Sequence, residues 1–203
     1  MTFLRGQEFY ESVNPEFQGK EFSIFEYMSW YSKTQSEKKT FSYSDDWRGF
    51  NVPSHVLKSC YEKNKERTPH DELLVEIMKQ CNELSNGEPY YLLGVRLGDM
   101  NTLDHEIAHG FYTTEESYKK GVDAIVAEMN VETKNKILKR LHEIGYAPSV
   151  GIDELQAFMS TGLSKKLESL AKPEEQEEFV NFFKSYNGGW KLTTPVLKIH
   201  ETA

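Results

Sequence analysis

The sequence predicts an α+β protein, mostly helical with a small β-sheet, and three observations carry that expectation. Beyond residue 53, apolar residues recur at three- and four-residue spacing through most of the chain. Helix-opening and helix-breaking residues, among them Pro53, Pro69, Asn86-Gly87 and Asn187-Gly188-Gly189, punctuate those stretches. Only short runs have the aromatic and apolar composition of strands. The chain has 203 residues, 38% hydrophobic and 28% charged, which suits one domain over residues 1–203 with enough chain to bury a core.

In chain order, Thr40 to Ser44 alternates polar and aromatic residues and reads as a strand, closed by a turn at Asp45-Asp46. Pro53, following Asn51, suits the first turn of a helix running to about Lys63. Lys63 to Thr68 is a charged connection. Leu73, Leu74, Ile77, Met78 and Cys81 place a helix over Pro69 to about Leu84. Tyr90 to Arg96 is a strand candidate whose edge, if exposed, could pair with an extended peptide, against the plainer alternative of an internal core strand. A helix is expected from about Thr102 to Gly110, and a second, opened by a Thr113/Glu116 capping box, from there to about Asn130. Further helices are expected over Glu132 to Glu143, Gly151 to Thr161 and Pro173 to Tyr186. Trp190 to His200 reads as a strand or ordered tail.

Charge and cysteine content exclude several classes. A net charge of -8 without a dense Lys/Arg stripe argues against a nucleic-acid partner. No run of apolar residues is long enough for a membrane span, and the first residues lack a signal-peptide pattern, so no membrane partner and a cytoplasmic location are expected. Cys60 and Cys81, the only cysteines, are too few for a disulfide framework and do not form a CxxC pair.

The chemistry concentrates in His105-Glu106-Ile107-Ala108-His109. On a helix, residues four apart are separated by about 40° around the axis, so both imidazoles can reach one ion. Glu106 falls about 100° from His105, beside the metal, where a base must stand to take a proton from a zinc-bound water. Leu103, Ile107 and Phe111 give the same helix an apolar back. A catalytic zinc needs a third protein ligand. Tyr112 and Glu115 stand where the pattern HExxHxxGxxH requires Gly and His, which excludes that arrangement and leaves an acidic third ligand. Glu128 and Glu154 are the candidates, and apolar periodicity does not separate them. Asp104 or Asp153 could orient an imidazole. Tyr112, His142 and Tyr146 are candidate oxyanion donors. His55, His70 and His200 read as surface residues.

HEIAH followed downstream by Glu154-Leu155-Gln156-Ala157 resembles gluzincin-type zinc metallopeptidases over about Leu103 to Phe158. Glu128 has a separation from His109 near that of thermolysin-like enzymes but lacks their surrounding Asn-Glu-x-x-x-Asp pattern, whereas Glu-x-x-Ala resembles the third-ligand helix of several gluzincin families. The resemblance implies a zincin-like active-site helix in an α+β fold, Zn2+ held by His105, His109 and Glu154, Glu106 as general base, and a peptide or protein substrate. LDHEIAHGFY with DELQAF also resembles a group of small uncharacterised microbial proteins, a likeness that supplies no substrate. Residues 1–50, which hold half of the aromatic side chains, are expected to pack on a metal-binding core of residues 51–203, as a cap or as a cleft wall. A non-catalytic binding or regulatory protein that keeps the zincin fold and metal is the alternative function; a metal-free helical interaction protein is a third. Intact Glu106 favours the enzyme.

Overall fold

The computed structural model describes residues 2–187, so the expectation for Trp190 to His200, and His200 itself, lie outside the described residues. The architecture is α+β and mostly helical. In chain order it runs α1 (Leu4–Glu11), α2 (Ile24–Thr34), the one-turn α3 (Tyr43–Asp46), β1 (Gly49–Pro53), α4 (Ser54–Lys63), α5 (Pro69–Leu84), β2 (Tyr91–Val95), α6 (Met100–Thr114), α7 (Glu116–Glu128), α8 (Val131–Glu143), a 3-10 turn (Pro148–Val150), α9 (Gly151–Thr161) and α10 (Pro173–Asn187).

Two hydrophobic cores result. The first gathers Leu4, Phe9, Phe17, Phe22, Tyr27, Tyr31 and Tyr43 with Val52, Leu57, Cys60, Tyr61 and Leu74, so the aromatic N-terminal segment shares its core with α4 and α5. The second joins Ile107, Ala108 and Phe111 of α6 to α7, α8, α9 and α10. Between them lies the antiparallel pair β1–β2, in register Asn51↔Leu93. Successive strand residues point to opposite faces, and accordingly Leu92 packs on the first core while Leu93 packs on the second. That explains the unbroken apolar run Tyr91-Leu92-Leu93.

Several local expectations are corrected. Thr40 to Ser44 is not a strand: Tyr43 begins the turn of α3, its ring drawn into the aromatic core. The strand lies instead at Gly49–Pro53, and Pro53 caps α4 from outside rather than entering it. The histidine helix starts earlier, with Asp99 accepting from the Thr102 N–H at 3.1 Å, and runs through Gly110 to Thr114. Because Thr113 is still helical, it caps nothing, and α7 opens after Glu115 without a side-chain cap. Asn130 instead caps α8, accepting from Glu132 and Thr133 N–H groups. Besides the one-turn α3, two helices lie where none is expected, α1 and α2. The second carries a readable signal, Ser23 with Glu26, whose carboxylate accepts from the Ser23 N–H.

Candidate metal centre

α6 buries Ile107 and Phe111 in the second core and turns His105, Glu106 and His109 toward a cavity of about 800 Å³ at the junction of the two cores. α9 packs against α6. Ala157, wholly buried, permits that approach, and Gln156 fixes it: its amide donates to Ala108 O at 3.2 Å and to Asp153 Oδ1 at 3.0 Å, while its oxygen accepts from Tyr118. This packing carries Glu154 to the two histidines.

The three side chains converge. His105 Nε2 and His109 Nε2 are 3.2 Å apart; Glu154 Oε1 is 3.5 Å from His109 Nε2 and Oε2 is 3.8 Å from His105 Nε2. A regular tetrahedron with ligand arms of about 2.1 Å has edges of about 3.4 Å, so these separations suit a small tetrahedral cation. The far side of each ring supports the same orientation. His109 Nδ1 is in ion-pair contact with Asp153 Oδ1 at 2.9 Å, which favours its proton on Nδ1. His105 Nδ1 lies 3.3 Å from Thr161 Oγ1, whose own proton goes to Ala157 O. Both Nε2 lone pairs therefore face each other, an unfavourable pairing unless a cation or a proton stands between them.

Glu154 adds to this. Its side chain is 3% exposed, and Oε2 is buried without a hydrogen-bond partner among the described residues. A buried, unpaired carboxylate oxygen is costly; a cation would satisfy it. Burial works to lower the pKa of His109, but Asp153, Glu154 and Glu106 outweigh it and push it well above the usual imidazole range.

Glu106 stands beside these three side chains rather than among them. It is 4% exposed, and burial raises its pKa against the lowering effect of the two histidines and of Asn51. Asn51 Nδ2 donates to Glu106 Oε2 at 2.6 Å; Asn51 in turn accepts from the Tyr91 hydroxyl at 2.5 Å, and its N–H donates to Gln7 Oε1 at 3.2 Å. β1 approaches so closely that a Cβ on Gly49 would fall 1.9 Å from Glu106 Oε1. Thus β1, through Gly49 and Asn51, lines the cavity, whereas no residue of β2, the strand considered for peptide pairing, does.

The remaining candidates separate cleanly. Glu128 is exposed at the end of α7 and lines a different depression, against α10. Asp104 does not reach the imidazoles, while Asp153 does. The Tyr112 hydroxyl donates to Asp123, and His142 is exposed and bonded to Tyr146 O, so neither faces the cavity. Tyr146 lines it, and burial together with Glu154, Glu11 and Glu106 raises its pKa well above the usual phenol range. His55 and His70 are exposed. Sequence reasoning missed Asn51, Gln7, Glu8, Glu11 and Thr161, all brought in from elements distant in sequence or without a motif.

Comparison with protein-family models, curated proteins and solved structures returned no match. No helix among the described residues is long and apolar enough to cross a membrane.

Proposed function

We propose that the protein is a zinc-dependent metallopeptidase in which His105, His109 and Glu154 hold the metal and Glu106 is the general base. The observation that carries this reading is the convergence of two imidazole Nε2 atoms on a buried carboxylate whose Oε2 has no hydrogen-bond partner among the described residues, with a second carboxyl, Glu106, beside the set and not in it. Zinc, when bound there, supplies a Lewis acid for the scissile carbonyl and lowers the pKa of a coordinated water toward about 7. The chain's own residues account for the rest. Asn51 occupies Glu106 Oε2, which leaves Oε1 to accept a proton and pass it to the leaving amine. Tyr146, on the cavity wall, is the donor for the developing oxyanion. Asp153 and Thr161 hold the imidazoles with Nε2 directed inward. The substrate is a peptide or protein, with no role for nucleic acid or membrane. A cytoplasmic location fits the two free cysteines.

The test is cleavage of a broad peptide library by zinc-loaded wild type, Glu106→Gln and Gly49→Ala. Wild type is expected to cleave, and Glu106→Gln to lose at least about a hundredfold in rate, the lower end of what a positioned base contributes. Gly49→Ala is expected to fall with it while keeping its zinc, since the new methyl displaces the base and no ligand. Cleavage undiminished in Glu106→Gln contradicts the mechanism; bound zinc with no cleavage by wild type favours a non-catalytic binding protein.

A further inference from the structure

The cavity has a second buried acidic wall that the proposed metal chemistry does not use. Glu8 and Glu11 of α1 are 6% and 5% exposed and line the same cavity as the metal-site residues. Neither makes an ion pair with a described basic side chain. Arg5, one turn before Glu8, directs all its donors to Asp71, Phe22 O, Asn64 and Glu66 O. Gln7 donates to Glu11 Oε1 and so holds that carboxylate in place. The Tyr43 hydroxyl, wholly buried and without a hydrogen-bond partner among the described residues, is turned toward Glu8.

A divalent cation at His105, His109 and Glu154 offsets Glu154 and leaves Glu8 and Glu11 uncompensated. Burial raises the pKa of both carboxyls, Glu11 well above the usual carboxylate range with Glu154 adding to it, and an organic cation seated beside them favours their ionised form. A second metal ion does not suit the wall, because the described residues bring no third His, Cys, Asp or Glu ligand atom to this pair. Tyr27, Trp30 and Tyr31 line the cavity on the same side, and aromatic faces beside carboxylates suit an organic cation. Lys38, Arg48, Lys165 and Lys166 also line the cavity, but they are exposed at its mouth, where water and salt screen them.

We propose that the Glu8–Glu11 wall is a specificity subsite for an ammonium or guanidinium group, making the substrate a peptide with a Lys- or Arg-type side chain near the hydrolysed bond. The term substrate rests on the metallopeptidase reading; binding of the cation does not.

The full chain, in metal-free and zinc-loaded forms with zinc content measured, is titrated with n-butylguanidinium and with neutral, isosteric n-butylurea by NMR. The guanidinium is expected to bind at least about tenfold more tightly, and Glu8→Gln and Glu11→Gln each to weaken it about tenfold, the scale of one charge-assisted hydrogen bond, without loss of zinc. Equal binding of the two probes, no saturable binding of the cation, or an undiminished preference in both variants overturns the proposal. The wild-type comparison decides even where a variant fails to fold. Selection of the cation by a protein that takes no zinc keeps the subsite and removes the metallopeptidase reading; zinc binding without selection does the reverse.

Discussion

Arg5 in the N-terminal core and Glu154 at the edge of the second are buried to the same degree, with side chains each 3% exposed, yet their surroundings differ completely. Every donor of Arg5 is used: Asp71 takes two, and Phe22 O, Asn64 and Glu66 O take the others. Asp71 is further held by Tyr61 and by Thr68. Glu154 shares its cavity with three other buried carboxylates, at Glu8, Glu11 and Glu106, and has an oxygen with no hydrogen-bond partner among the described residues. A charge that is fully bonded locks one packing arrangement. A charge left open is one that a ligand can close. The buried charge of the N-terminal core is thus closed by the protein itself, while at the junction a carboxylate oxygen stays open, which on the proposed reading a metal closes.

Breaking the satisfied pair has the largest expected effect on stability. Asp71→Ala leaves the Arg5 guanidinium buried and unpaired and is expected to cost about 3–5 kcal/mol, read by urea denaturation; a loss under about 1 kcal/mol would remove the contrast. The pair also sets an acid limit. Burial alone would raise the Asp71 pKa, but the Arg5 and Thr68 hydrogen bonds hold it below its usual range. Its contribution is therefore complete above about pH 4, the unfolded value, and is lost as pH falls through the depressed folded value. Wild type is expected to lose more stability over that acid range than Asp71→Ala does.

Opening the unsatisfied site is expected to act in the opposite sense. Glu154→Gln, without metal, is expected to be as stable as wild type or nearly so, because it removes a buried charge whose Oε2 has no hydrogen-bond partner among the described residues, and His109, which that charge helps to protonate, can turn neutral with it. Its zinc affinity is expected to fall by more than about a hundredfold, beyond the usual loss for a residue that only orients a ligand. Strong destabilisation of the metal-free variant would mean that Glu154 is structural in the way Arg5 is. Asp153→Asn is the smaller change of the same kind. It keeps the shape beside His109 and removes the charge, and zinc affinity by chelator competition is expected to drop about 10–100-fold.

How much of this was legible in the sequence follows the same division. His105, Glu106 and His109 lie within one helical turn, so local geometry alone places them together. Glu154 was reachable because its helix carries a pattern and a small Ala157 that admits α6. Asn51 was not: β1 contains Gly49 and Pro53, residue types that argue against a strand, and its tie to Glu106 spans 55 positions. α1 was equally silent, since Phe3 provides no side-chain cap and no acidic residue opens the helix. Gly6, poor for a helix interior, is there because a Cβ would meet Leu57 Cδ2 at 2.8 Å. Such residues are selected by packing partners far along the chain, and no local period reports them.

Elemental analysis of the purified full chain tests the central claim most directly. One zinc per chain is expected in wild type, in Glu106→Gln and in Glu128→Ala, and none in His105→Ala or His109→Ala. Absence of any transition metal from wild type after zinc loading, or zinc retained in both histidine variants, would contradict the account.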